Sequence, residues 1–189
     1  GYGKKFLKAD NGEERAKVLL DIERIYNAVA ANPLWDQNRI AVMGGSYGGF
    51  MALHSMVNLN NFVRCGIDVV GISNFVTFLE NTSDYRRDLR RVEYGNERLP
   101  EMRKFLQELS PLTHVEKITR PLLIVQGAND PRVPASESAQ IEAALRKKDI
   151  ETWYLLAKDE GHGFRKQANR TFQFLTTVQF LRRHLLGAD

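Results

Sequence analysis

Ile40-Ala41-Val42-Met43-Gly44-Gly45-Ser46-Tyr47-Gly48-Gly49-Phe50-Met51-Ala52-Leu53 reads as a strand, a tight turn and a helix. A short apolar run feeds a Gly-x-Ser-x-Gly turn, and an apolar stretch continues beyond it. A strand that reverses into a helix within so few residues forces strained backbone at Ser46 and crowds its neighbours. Gly44, Gly48 and Gly49 are expected to keep side chains out of that space. Ser46 Oγ is then pushed above the sheet. The amide of Tyr47, at the N-terminus of the new helix, points toward the same spot as an oxyanion donor.

Upstream, Val18, Ile22, Ile25 and Val29 recur at helical spacing between Asp10-Asn11-Gly12 and Asn32-Pro33, which predicts an amphipathic helix over 13–31. Downstream, Cys65 to Val70 is a second buried strand. Pro121 to Gly127, with proline at its start and glycine at its end, is a third, and Thr152 to Ala157 is a fourth. A helix over Ser136–Lys147 separates the last two strands, and a final helix presents Phe174, Val178, Leu181 and Leu185. Between Ser73 and Leu112 aromatic and charged residues mix without a strand pattern, so short helices over the rim of the sheet are expected there. Strands alternating with helices imply parallel pairing, right-handed crossovers and helices on both faces: an α/β fold with a doubly wound, mostly parallel sheet.

Composition bounds the function. At 189 residues the chain reads as one domain, 1–189, with a helical rim segment at about 73–112; a chain of this size buries roughly 70% of its unfolded surface. Lysine and arginine outnumber acids 27 to 23 without a concentrated run, which argues against nucleic-acid binding. No stretch has the apolar length of a membrane span. The single cysteine, Cys65, opens an apolar run and reads as a buried thiol. The chain begins Gly1-Tyr2-Gly3, so it is expected to be a piece of something longer. Compartment is left open, with a cytoplasmic one favoured.

In parallel α/β sheets the chemistry gathers beyond the carboxyl ends of the strands. Ser46, Asp130 and His162 each follow a different strand end, and they come in the order serine, aspartate, histidine. A serine alcohol is a poor nucleophile until an imidazole takes its proton, and the imidazole needs a carboxylate to fix its tautomer and stabilise the imidazolium. The plain readings are a turn role for Asp130, in Gly127-Ala128-Asn129-Asp130-Pro131, and a surface loop for His162. Asp68, inside a strand, and Asp159, close to His162 in sequence, are weaker candidates for the acid. His54 falls in the helix after the elbow, His114 in a linker and His184 near a helix C-terminus. No two histidines have metal-ligand spacing. Phe75, Phe78, Tyr85, Tyr94 and Val133 are candidates to line an apolar substrate pocket, or equally to pack the rim helices. The arginines at 86–91 read as a solvated face, or as holding one grip for a substrate carboxylate.

Three segments carry a resemblance. Gly44-Gly45-Ser46-Tyr47-Gly48-Gly49, the Gly-x-x-Asp-x-Arg-Val-Pro run from Gly127 to Pro134, and Glu160-Gly161-His162-Gly163-Phe164 resemble the catalytic segments of the prolyl oligopeptidase family, nearest its acylaminoacyl-peptidase-like branch. Gly1-Tyr2-Gly3-Lys4-Lys5-Phe6 is similar to a segment that those enzymes carry ahead of the elbow. The resemblance implies an α/β-hydrolase fold and a serine peptidase acting on short peptides, with an acyl-enzyme on Ser46, His162 as base and then acid, and Asp130 orienting it. It implies no cofactor and no metal. Gln126 stands where the family often has histidine. The β-propeller and the first strands of the hydrolase sheet have no counterpart in this chain, and with them goes the loop that supplies the second oxyanion donor. Losing one such donor costs about 10² to 10³ in rate. Strand 40–45 then becomes an open edge, so a companion fragment or self-association through it is expected. A carboxylesterase is the alternative activity, and a non-catalytic fragment the alternative of another class.

Overall fold

The computed structural model describes residues 1–188. In chain order it contains α1 (Gly3–Leu7), α2 (Arg15–Ala31), β1 (Ala41–Gly45), α3 (Tyr47–Asn58), β2 (Cys65–Val69), α4 (Phe75–Asn81), α5 (Asp84–Tyr94), α6 (Pro100–Leu109), β3 (Leu122–Gly127), α7 (Ala135–Arg146), β4 (Thr152–Ala157) and α8 (Gln167–Leu181), followed by a π-helical turn at Arg182–Leu186. A 3₁₀ segment, Pro111–Lys117, leads from the rim back to the sheet.

The four strands pair in parallel in the order β1-β2-β3-β4. Gly45, Val69, Val125 and Leu155 share one row of the ladder, so the carboxyl ends of all four strands finish nearly level. Side chains alternate across the sheet. Val42, Leu122, Ile124 and Tyr154 pack with Tyr26, Leu53, Met56, Ile141 and Leu145 of α2, α3 and α7 on one face. Cys65, Ile67, Leu123, Val125, Trp153 and Leu155 meet Phe180 and Leu181 of α8 on the other. Strands laid down in sequence order through right-handed crossovers place their connections on the same face. That is why three helices share one side and α8 has the other.

Two inward stripes differ from the sequence reading. Ile25 is 57% exposed, and the buried residues of α2 are Arg15 and Tyr26. A periodicity count treats arginine and tyrosine as polar, yet Tyr26 buries its ring against Phe62, with centroids 5.8 Å apart. In α8, Phe174 and Val178 are exposed, and fully buried Phe180 seats edge-on against Trp153 at 5.4 Å. Apolar residues on several sides of α8 offer more than one stripe, and the sheet selects one.

The rim segment has its own small core. Phe50, Ile72, Phe75, Phe78, Tyr94, Leu106 and Val133 pack together, with Tyr47 against them. A buried carboxylate fastens this rim to α7: Glu137 accepts from Ser73 N (3.1 Å), Asn74 N (2.8 Å) and Thr77 Oγ1 (2.5 Å), while Ser73 Oγ donates to the Glu137 main-chain oxygen at 2.7 Å. A lone buried carboxylate would be costly, but these donors make it a joint between elements.

Asp68 of β2 is the opposite case. It is fully buried between the sheet and α3, and neither of its carboxyl oxygens makes a hydrogen bond. A Cβ at Gly49 would lie 2.3 Å from Asp68 Oδ1, and one at Gly71 would lie 2.0 Å from it, so both glycines leave room for this group. Burial, reinforced by the nearby Glu137 carboxylate, pushes the Asp68 acid up to about 7.

In an unfolded chain Asp68 titrates near ~3.9. Between that pH and about 7 the folded state therefore holds a proton that the unfolded state has lost, and this group's contribution to stability falls as pH rises through that window. Asp68→Asn removes the slope. Thermal unfolding is expected to show the variant gaining on the parent at pH 8, with the gap closing at pH 4.

Candidate active site

Ser46 sits at φ 58° and ψ −117°, a conformation that costs a non-glycine residue about 1–3 kcal/mol and persists only where surrounding bonds impose it. They do so here. Ser46 N donates to Val69 O at 2.8 Å, while Gly49 N and Phe50 N donate to Ser46 O at 2.9 and 3.2 Å. Gly44 is required by a close approach, since a Cβ there would lie 1.9 Å from Gly48 O. Gly49 faces Asp68 and Gly71 in the same way. Gly48 differs from the sequence reading: a Cβ added at Gly48 meets nothing within 4 Å. What the turn needs of Gly48 is its bare backbone against Gly44, because that is where strand and helix touch. The Tyr47 N–H, first in α3, donates to no protein group among the described residues.

Asp130 follows β3 with its side chain fully buried. Its Oδ1 accepts from Arg132 N at 2.8 Å and Val133 N at 3.1 Å, an Asx turn that leaves Oδ2 to face His162 Nδ1 at 2.7 Å. A carboxylate oxygen accepts, so Nδ1 is the donor in this bond and Nε2 is the ring nitrogen left free of it. The turn role and the partner role suggested by sequence thus coexist in one carboxylate.

His162 comes from the loop after β4, three strands from β1, or about 14 Å at ~4.8 Å per strand. The loop must therefore cross back over the end of β3. It does so on Gly127, where a Cβ would lie 2.2 Å from Gly161 O and 2.6 Å from Glu160 O. Ala128 N donates to Ala157 O, and Asn129 Nδ2 to Lys158 O, each at 2.9 Å, holding the loops of Asp130 and His162 side by side. Gln126 is buried and fully used: Nε2 donates to Gly127 O (2.9 Å) and Val133 O (3.3 Å), and Oε1 accepts from Ser138 Oγ (2.8 Å). It braces the acid loop from beneath. Ser46 is half-buried at the end of β1, and its Oγ has no hydrogen bond among the described residues.

Phe75, Phe78, Tyr94 and Val133 lie together, buried in the rim core beside Tyr47, while Tyr85 stands apart and 70% exposed. Tyr85 borders an open cleft with Pro131, Arg132, His162 and Arg165. Arg87, Arg90 and Arg91 pair with Asp84, Glu93 and Glu97, so their charges are used within the rim. Asp159 is exposed and pairs with Lys166. His54 is held neutral by burial, which brings it down to about 4, and His184 packs on Phe180. Cys65 is buried, with its thiol pushed up to about 11 by desolvation.

Sequence reading missed Arg15. It is 1% exposed, with its guanidinium 4.8 Å from the Tyr47 ring centre and 4.5 Å from that of Tyr94, and it is paired with Asp10 at 3.2 Å. A cation between two rings fixes the tyrosine that follows the serine against the rim. An arginine in the opening turn of a helix resembles any solvated charge, so no local signal marks it.

Comparison with known proteins follows this geometry. The model of the prolyl oligopeptidase family matches residues 1–188. The chain is 39% identical over 191 residues to dipeptidyl peptidase family member 6 of Caenorhabditis elegans, covering 99% of this chain and 26% of that protein. It is 25% identical over 190 residues to the acylamino-acid-releasing enzyme of Mus musculus, covering 98% of this chain and 26% of that protein. A solved puromycin-hydrolyzing peptidase of Mycobacterium tuberculosis superimposes with a TM-score of 0.82 at 29% identity, over 90% of this chain and 25% of its own. The chain thus spans about a quarter of the length of these relatives.

Gly44→Ala is expected to destroy the elbow and with it any reactivity of Ser46. Gly48→Ala, with open space for its methyl, is expected to remain folded and to retain most of that reactivity. Thermal unfolding and active-site titration of the two variants side by side check the difference.

Proposed function

The chain belongs to the prolyl oligopeptidase family, and from that premise we propose that it carries the catalytic machinery of a serine peptidase acting on short peptides. The observation that supports this most is the 2.7 Å bond from His162 Nδ1 to buried Asp130, made beyond strand ends that finish level with the strained Ser46. In this reading His162 Nε2 takes the Ser46 proton as Oγ attacks the scissile carbonyl carbon. The Tyr47 N–H donates to the oxyanion, and the imidazolium returns its proton to the leaving amine as the C–N bond breaks. Water then attacks the ester with His162 again as base, releasing the acid and regenerating Ser46. These steps call on no cofactor or metal. Phe75, Phe78, Tyr94 and Val133 are spent in the rim core beside Tyr47, so of the pocket candidates it is Tyr85, on the open cleft with His162, that is left to meet the substrate.

The name of the 39% identical relative makes dipeptide release the first specificity to test, and that of the 25% identical one makes acylated peptides the second. β1 is an outer strand among the described residues, with Met43 59% exposed. We propose that this edge pairs with a companion fragment or with a second copy of the chain. A second reading, a carboxylesterase, uses the same three residues, and matched peptide amides and esters separate the two.

A fluorophosphonate is expected to add one mass to the protein, and Ser46→Ala to take none. Asp130→Asn is expected to lower kcat by on the order of 10⁴, as tautomer loss does elsewhere. A folded protein that takes no label would favour the non-catalytic alternative. For the β1 edge, light scattering of the isolated chain is expected to show a dimer or larger species; a monodisperse monomer would sink that assignment.

A further inference from the structure

The bond to Asp130 fixes one nitrogen of His162, but a ring held at one point still pivots about it. Gly161 and Gly163 flank the histidine, Gly163 lies at φ +90°, and one antiparallel bridge between the two glycines is the local backbone support of the loop. Something else has to set where Nε2 points.

Glu160 lies two residues before His162 and is 4% exposed. Three N–H groups converge on its carboxylate: Arg165 N on Oε2 at 3.0 Å, Lys166 N on Oε1 at 2.9 Å, and Asn169 Nδ2 on Oε1 at 2.8 Å. The Arg165 amide first, and the others with it, hold this acid below the usual carboxylate range. Its main-chain oxygen faces the other way and accepts from Asn129 N at 2.9 Å, next to Asp130. One residue is therefore bonded through its side chain to the start of α8 and through its main chain to the acid loop, and His162 lies between those anchors. A carboxylate suits the position because both partner amides sit at the entry to α8, where negative charge is favoured.

We propose that Glu160 is a positioning residue for the reaction assigned to Ser46. It closes the loop 160–166 into a clasp that aims His162 at the serine. The inference rests on the serine peptidase reading. It differs from ordinary loop stability in what it predicts, because the clasp acts on the geometry of proton transfer, and a misplacement of about 1 Å there costs on the order of 10² in rate. Asp159, one residue earlier, supplies the contrast: it pairs with Lys166 and accepts from Asn169 Nδ2 at 3.1 Å, but on an exposed side chain, where such contacts contribute little.

The test uses the full-length protein. Wild type, Glu160→Gln, Glu160→Asp, Asn169→Ala and Asp159→Asn are compared by rate of fluorophosphonate labelling at Ser46, by kcat and KM on a dipeptidyl amide, and by thermal unfolding. Glu160→Gln turns an amide nitrogen toward one of the donors. It is expected to lower the labelling rate and kcat together, by about 10- to 100-fold, with KM nearly unchanged and a cooperative unfolding transition. Glu160→Asp keeps the charge on a shorter stem and is expected to recover part of the loss. Asn169→Ala removes one of the three donors and is expected to lose several-fold, which keeps the proposal open to test should Glu160→Gln fail to fold. Asp159→Asn is expected to match wild type.

Glu160→Gln or Asn169→Ala labelling at the wild-type rate would overturn the proposal. So would a loss confined to KM, or one that follows the unfolded fraction. A wild-type protein that takes no label would overturn the nucleophile reading and this inference with it. A labelled wild type beside an equally reactive Glu160→Gln would overturn this inference alone.

Discussion

One hydrogen bond, from an imidazole to a carboxylate with no exposed surface, sets the requirements that the rest of the chain meets. Asp130 has to be buried to hold a single orientation, and a buried carboxylate has to be satisfied. Two backbone amides of its own turn take one oxygen, and His162 takes the other. The base loop must then lie on the end of β3, which is possible only because Gly127 has no side chain there. The parallel register that levels the strand ends brings Ser46 to the same lip.

Three buried acids recur around this lip in two distinct conditions. Glu137 is saturated by donors from the rim and joins α7 to α4. Glu160 is saturated by donors from α8. Asp68 has no hydrogen bond and is held near neutrality by burial under α3. The same side-chain chemistry thus serves as a joint where amides converge and as a titrating weak point where they do not. The difference lies in backbone supply: loop and helix starts have free N–H groups to offer, whereas the middle of β2 has spent its own on the ladder.

The rim shows how packing and chemistry share residues. Tyr47 follows Ser46 directly, yet its ring belongs to the rim core and rests on Arg15 from the first turn of α2. The elbow is therefore braced from three sides: by β2 through Val69, by the rim through Tyr47, and by Gly71 pressed against Gly49. Strain at Ser46 persists because no single one of these supports has to carry it alone.

Much of this was legible in the order of residues. Short apolar runs, proline and glycine punctuation and the elbow motif located every strand to within a residue or so, and three loop residues after three strand ends marked the candidate site. These signals are local, and backbone sterics enforce them wherever they occur. What local pattern could not settle was which of several apolar stripes turns inward on α2 and α8, whether Gly48 needs space, and that Arg15, Glu137 and Glu160 are interior groups. Burial of a charge depends on partners far away in the chain, and those meet only when the sheet is assembled. The sequence by itself determined the fold class and singled out Ser46, Asp130 and His162 as the candidate site. Only the tertiary structure decided which glycines are indispensable and which carboxylates hold the loops in place, because those are properties of distances between segments that have no memory of one another along the chain.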